Sequence, residues 1–346
     1  SVLVLCVIGT LFIYSSGVSS EGELVSSEYA KQIVWVALGL IVMIVLILAD
    51  PKRLPEYSGM LYILTIGVLV YTRLFGRVVN GARSWLGIGE LGIQPSEFAK
   101  ITTMLFLARY LDSTRRDPAK FKRFAYSFGI VLLPMALILS QPDFGTALVF
   151  IPIYLAMALI GGIELRYLLF LLLAGGTAAV LTVLPLLQSG TSDQVPAFIR
   201  VLYEAPYPMY ILLLSAVVLG LSILGFSRTK QRYYYWISYV SFMILCGVGG
   251  SILGHKVLKD YQIMRLVVFL DPSVDPLGSG WNILQSITAI GSGGFSGKGF
   301  LQGTQSHYRY LPQQSTDFIF SIISEELGFI GGILVFSLFL FILVRL

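Results

Sequence analysis

Apolar residues in this chain run in long blocks separated by short polar links, and the blocks have the length that a bilayer demands. A membrane-spanning helix needs about 20 mostly apolar residues. Blocks close to that length fall at residues 1–16, 32–49, 57–75, 95–111, 125–140, 144–160, 167–187, 207–226, 233–254 and 317–344. Ten spans are therefore expected, in an all-α, polytopic transmembrane bundle. The links over Arg77 to Gln94, Gln188 to Tyr207 and His255 to Thr316 are long, polar and rich in Gly and Pro. Within the last of these, NILQSITAI predicts a short amphipathic helix lying at the membrane interface.

Composition agrees with the pattern. Of 346 residues, 56% are hydrophobic and only 12% charged, with a mean hydropathy of +0.81, which excludes a soluble enzyme. The net charge of +5 would suggest nucleic acid in a soluble chain, but in a membrane protein basic residues report orientation. Arg109, Arg115, Arg116, Lys120, Lys122 and Arg123 crowd one short link, and Arg228, Lys230 and Arg232 another. Retention of positive charge in the cytoplasm places both inside. Alternation then puts Lys52 and Arg53 inside as well, and every long loop outside. The pair of spans between about 188 and 254 can be removed without inverting any other loop. It therefore reads as an insertion into a single domain, 1–346, whose core is 1–187 and 255–346. Cys6 and Cys246 lie in apolar runs without metal-ligand spacing and read as reduced packing residues. The opening SVLVLCVIGT has neither Met nor a basic leader, which suggests a first span clipped at its start.

Sorting the ionisable residues by side brings out a constellation. QPSEFAK opens the fourth span, with Pro95 suited to a first helical turn and Glu97 and Lys100 three positions apart on one face. Asp143 lies in SQPDFGT between the fifth and sixth spans, and Asp317 opens the last. All three acids are expected at the outer boundary. Cations join them against the orientation bias: Arg83 in NGARSW, Arg265 in KDYQIMR and Lys298 in GSGGFSGKGF. Charges at the membrane are costly and tend to be kept for a site. Carboxylates and cations on one side suit an anionic ligand worked on by acid and base.

Structural readings stand beside these. Asp317, after Ser315 and Thr316, has the signature of a helix N-cap. Glu97 with Lys100 reads equally as a structural ion pair, and Arg83 with Trp85 as an interfacial anchor. Glu325 and Glu326 point about 100° apart on a helix, so at least one turns into the bundle; Glu325 lies nearer the Asp317 face. The glycine run IGSGGFSGKGF fails as a phosphate-binding loop, because its spacing is not GxxxxGK and Gly299 follows Lys298. Its glycines instead suggest close approach of backbone to a ligand or partner. His255 and His307 read as surface residues.

Taken in order, NGARSWLGIG, QPSEFAK, SQPDFGT, FLDPSVDPLGSGWNILQS, AIGSGGFSGKGFLQGTQS and STDFIFSIISEELGF resemble the blocks of the SEDS family of shape, elongation, division and sporulation proteins. The likeness covers nearly the whole chain apart from 188–254, and GKG…GTQS favours the elongation branch over the division branch. It implies a peptidoglycan glycosyltransferase that polymerises lipid II in the bacterial cytoplasmic membrane, faces the extracytoplasmic side, and works with a class B penicillin-binding protein. By position, Asp317 matches the family's essential acid. Arg83, Trp85, Glu97, Lys100, Asp143, Arg265, Lys298, Gln305, Ser306 and Glu325 fall in substrate-binding blocks. A divalent cation, Mg or Mn, is implied near Asp317 or Asp143, with no nucleotide cofactor and no nucleic-acid partner. Ser315 stands where relatives usually have His, and Gln313 where an acid is common. The resemblance also implies two further spans and a Ser-Gly-Gly block after Leu346. A lipid flippase, or a scaffold that activates the penicillin-binding partner, would draw on the same membrane architecture; the flippase would need mid-depth polar residues and broken helices.

Overall fold

The structure is a computed structural model, described here for residues 1–48, 54–79, 82–88, 91–190 and 206–345. Lys52, Arg53 and most of the link between 188 and 207 lie outside the described residues. The chain divides into two compact units. A terminal unit comprises Ser1–Ala49, Pro185–Gln194 and Ile263–Leu346, and a central unit Asp50–Leu184 and Val195–Gln262.

Every predicted span is a helix. In chain order these are α1 Val2–Ser16, α2 Glu28–Leu48, α3 Leu54–Phe75, α4 Pro95–Ser113, α5 Lys120–Ser140, α6 Phe144–Ile160, α7 Leu165–Gly190, α8 Tyr207–Thr229 and α9 Arg232–Val257, with the last span, α13, at Ile319–Arg345. Between α9 and α13 lie α10 Asp260–Leu270, α11 Trp281–Gly293 and the single turn α12 Thr304–His307. Among the described residues, seven helices are long and apolar enough to cross a membrane; Val2–Ser16 and Phe144–Ile160 are apolar but shorter. The chain is thus a multi-pass membrane protein. Its apolar surface fits that setting: α2 buries none of its residues, as a helix facing lipid should.

The link after α3 corrects a purely helical expectation. It folds into a small antiparallel sheet of β1 Arg77–Val79, β2 Ala82–Ile88 and β3 Leu91–Ile93, with β2 central. Val78 pairs with Arg83 and Gly87 with Gly92, and a bulge follows Arg77. Trp85 leans on Gly92, where a Cβ would sit 2.9 Å from its ring.

In the central unit, Leu69, Leu107, Ile138, Phe150 and Tyr154 form a buried core contributed by α3 to α6. The link richest in positive charge is built into this unit. Buried Arg123 donates to the carbonyls of Leu111, Gly161 and Gly162 at 2.8, 2.6 and 3.1 Å and to Thr114 Oγ1 at 3.1 Å. One guanidinium so closes the C-terminal ends of α4 and α6, where freed carbonyls favour a cation. Glu164 pairs with Lys120 and Arg166 beside it. The α8–α9 pair packs as a hairpin, and Gly247, Gly250 and Gly254 let α9 approach Thr177, Ala178 and Thr182 of α7. Small residues at such spacing are the usual device for close helix packing in lipid.

Candidate active site

The last span is broken. Within Ile319–Arg345, Gly328 takes φ 68° and ψ −161°, a region that only glycine enters without large cost. A break in lipid frees backbone groups that must be satisfied from elsewhere. The glycine-rich loop after α11 does this. Lys298 N and Gly299 N donate to the carbonyls of Glu325 and Glu326 at 3.0 and 2.9 Å, while Phe329 N and Ile330 N donate to those of Gly294 and Phe295 at 2.9 and 3.3 Å. The approach is too close for side chains: a Cβ on Gly293 would lie 2.0 Å from the Ser324 carbonyl oxygen, and one on Gly297 2.1 Å from that of Glu326. The glycines expected to meet a ligand or partner meet the chain's own broken helix. The amphipathic helix is α11, which buries Ala289 and Gly293 and packs against α13.

Both glutamates before the break are fully buried. Glu325 accepts from Lys298 Nζ at 2.8 Å, Gln305 N at 2.8 Å, Ser306 N at 3.2 Å and Thr304 Oγ1 at 3.1 Å. Lys298 also donates to Ser292 Oγ and Thr304 Oγ1, at 2.9 and 2.7 Å, so its three N–H donors all point to residues of the same unit. Gln305 and Ser306 thus reach Glu325 through their backbones, while Gln305 Oε1 and Ser306 Oγ are buried without a partner among the described residues. Glu326 accepts from Ser15 Oγ at 2.5 Å and from Leu301 N at 3.0 Å, tying α1 to α13. His307 Nε2 lies 3.8 Å from Glu326 Oε1 and its Nδ1 2.8 Å from the Val18 carbonyl. His307 is therefore buried, against its expected surface position; His255 is exposed as expected.

Asp317 differs from all of these. It is exposed, in a turn whose N–H donates to the Gln313 carbonyl at 3.0 Å, and among the described residues nothing is bonded to its carboxylate. The capping alternative finds no bond in its favour. Arg265, on α10, is exposed. Before α11, the block FLDPSVDPLGSGW folds as two local turns. Asp271 accepts from Ser273 N at 2.9 Å and Asp275 from Gly278 N and Ser279 N at 3.1 and 2.7 Å. The Ser273 hydroxyl and then its N–H hold the Asp271 carboxyl below its usual range.

In the central unit Asp143 is the N-cap of α6, accepting from Thr146 N at 3.4 Å. It also takes Gln94 Nε2 at 2.6 Å and Ser96 Oγ at 3.5 Å, which brings the starts of α4 and α6 together. Glu97 pairs with Lys100 at 2.8 Å on the first turn of α4, its side chain half exposed. Exposed Arg83 reaches back from β2 to the Leu74 carbonyl at 3.3 Å, and Trp85 is partly buried. The acids expected at one boundary are divided between the units: Glu97 and Asp143 in the central one, Asp317 in the terminal one.

Sequence and fold both match known proteins. The FtsW/RodA/SpoVE family model, described as cell cycle protein, matches residues 1–209 and 209–346. The chain belongs to that family. Among relatives of the FtsW/RodA/SpoVE type, the peptidoglycan glycosyltransferase RodA of Treponema pallidum is 48% identical over 340 residues, which is 98% of this chain and 78% of the relative. The peptidoglycan glycosyltransferase MrdB of Escherichia coli is 30% identical, over 99% of this chain and 73% of its own. A solved peptidoglycan synthase complex, described as coordinating polymerization and crosslinking, has a chain similar to this one with a TM-score of 0.59. Its identity is 23%, over 99% of this chain and 75% of that chain; at that identity the likeness speaks for the fold.

No group of three or more His, Cys, Asp and Glu able to hold a metal ion occurs among the described residues. Asp143 is already engaged by three donors, and Asp317 offers a lone carboxylate. That donor set does not make a protein-built metal site.

Sequence reasoning missed Ser15 and Gly328, weighed Glu326 without giving it a partner, and read His307 as a surface residue although it is buried. The signal for Gly328 was present, since a Gly two positions after a pair of acids in an apolar run marks a place where a spanning helix has reason to break.

Proposed function

We infer that this chain is a peptidoglycan glycosyltransferase that polymerises lipid II into glycan strands during cell elongation, with Asp317 as general base. The observation that carries the activity is 48% identity to the Treponema pallidum enzyme across 98% of the chain. The carboxylate of Asp317, exposed and without a bonded partner among the described residues, supports its role. A sugar hydroxyl is a poor nucleophile at neutral pH, so its proton must be taken as it attacks. Asp317 accepts that proton while the hydroxyl oxygen bonds to the anomeric carbon of a second lipid-linked sugar. The anomeric bond to the diphosphate breaks, and the polyprenyl diphosphate leaves with the electron pair. Attack opposite the leaving group inverts the anomeric centre.

Charge on the departing diphosphate calls for cations. Arg265, exposed on α10 and in the same unit as Asp317, supplies one in this reading; Lys298 contributes by holding Glu325 and the loop. The active face is the extracytoplasmic side of the cytoplasmic membrane, in keeping with the basic α4–α5 and α8–α9 links on the other side. A class B penicillin-binding protein is the proposed partner, and the fold shared with a chain of a synthase complex that coordinates polymerization and crosslinking supports it.

One observation favours lipid transport: the helix broken at Gly328 with two buried acids beside it. In a transporter such a break presents free backbone ends to cargo. Here those ends and both carboxylates are bonded within the terminal unit, which favours polymerisation. The test is the purified protein in vesicles with labelled lipid II. Glycan polymer is the expected product; lipid II crossing the bilayer without polymer would reverse the assignment.

A further inference from the structure

Asp317 belongs to a turn that also walls a polar cavity. The cavity holds about 270 Å³, just below the usual ligand range of about 300 to 1,000 Å³, and suits a single sugar ring with a short substituent. Its wall comes from the start of α2 and the segment before it, with Ser26 and Glu28, and from the stretch carrying Arg309, Gln313, Gln314 and Ser315. All of these belong to the terminal unit.

Three features set this cavity apart from ordinary packing. Arg309 is exposed, and among the described residues its guanidinium has no bonded partner. Gln314 is nine-tenths buried, its Nε2 donating to the Ser16 carbonyl at 2.7 Å, yet its Oε1 has no donor among the described residues. Arg309 and Gln313 both sit at positive φ, 55° and 52°, a backbone strain for such residues that tends to gather at ligand clamps.

We propose that this cavity binds the carboxylate- and amide-bearing end of the saccharide substrate, Arg309 holding the carboxylate and Glu28 accepting an amide or hydroxyl proton. The proposal rests on the polymerase reading above and adds where the substrate is gripped. The charge pattern selects this end over the diphosphate. A diphosphate carries at least two negative charges and would face one cation with the Glu28 carboxylate in the same wall. A ligand with one carboxylate beside N–H and O–H donors satisfies both residues, and Ser315 already steadies Glu28 through its hydroxyl. Because Asp317 N–H donates to the Gln313 carbonyl, a substrate seated here is registered against the proposed base.

The test uses the purified full chain with lipid II, and muramyl dipeptide and inorganic diphosphate as soluble competitors. Arg309→Gln is expected to raise KM about tenfold while keeping kcat, the signature of lost substrate binding, with partial recovery in Arg309→Lys. Muramyl dipeptide should inhibit the wild type and lose that effect in Arg309→Gln. An unchanged KM in Arg309→Gln, or inhibition by inorganic diphosphate that disappears in that variant, overturns the proposal. Melting temperatures check the fold; if Arg309→Gln melts early, Glu28→Gln carries the same test. If the wild type makes no polymer, the polymerase reading fails separately, and muramyl dipeptide binding to wild type against Arg309→Gln, measured by calorimetry, still decides the cavity.

Discussion

Lys298 Nζ lies 2.8 Å from Glu325 Oε1, one partner on the glycine-rich loop and the other fully buried just before the break in α13. Removing one member of a buried pair costs about 3 to 5 kcal/mol, because the other is left uncompensated. Glu325→Ala should therefore lower the melting temperature sharply in detergent, and Lys298→Met somewhat less, since Gln305 N and Ser306 N still reach the carboxylate. A double variant that melts no lower than Glu325→Ala alone would verify the coupling.

Asp317 has the opposite profile, exposed and with its carboxylate unbonded among the described residues. Asp317→Asn should leave the melting temperature within about 0.5 kcal/mol equivalent of wild type, as surface changes do, and abolish glycan polymer. Polymer formed by the variant at the wild-type rate would remove Asp317 from the mechanism.

Gly328 tests the break itself. Gly328→Ala forces a Cβ into φ 68°, ψ −161° and to 2.3 Å from Gly297 N. A protein that is poorly folded or lost during purification is the expected result, read by size-exclusion chromatography in detergent. By contrast Gly175→Ala, where a Cβ meets nothing within 4 Å, should behave as wild type.

Arg123 joins two helix ends through four acceptors. Hydrogen bonds to a charged group contribute about 1.5 to 3 kcal/mol each, so Arg123→Met should cost several kcal/mol. Arg123→Lys keeps the charge but not the fork and should recover only part of it. Thermal unfolding of the two variants separates charge from geometry.

Glu164 gives a pH dependence. The hydrogen bond from Lys120, aided by Arg166, holds its carboxyl below its ordinary value of 4.5. A depressed carboxyl contributes stability that is present above the unfolded value and is lost as pH falls through the folded one. Wild type should therefore out-melt Glu164→Gln at neutral pH, and the gap should close on acidification below 4.5; the effect is modest because the group is near the surface.

The helices were legible because the bilayer imposes a length and an apolar content on a span, and both are local properties of sequence; seven of the ten meet both criteria among the described residues. Candidate acids and cations were legible for a similar reason, since charge near lipid stands out against its surroundings. What neighbours each charge was not. Glu325 and Glu326 sit side by side in sequence, yet one takes Lys298 and the other Ser15, 311 positions away. The glycine run and Gly328 are each ordinary alone; only their meeting, backbone to backbone, shows why both lack a Cβ. The sheet after α3 was missed because its strands are three to seven residues long, too short for alternation to register. Sequence alone determined that this protein lives in the membrane and which family chemistry it carries, because hydrophobicity and motif order need no partner. Tertiary structure alone decided that Lys298 and Glu325 hold each other while Asp317 stays free, because a charge's role depends on which groups reach it through space.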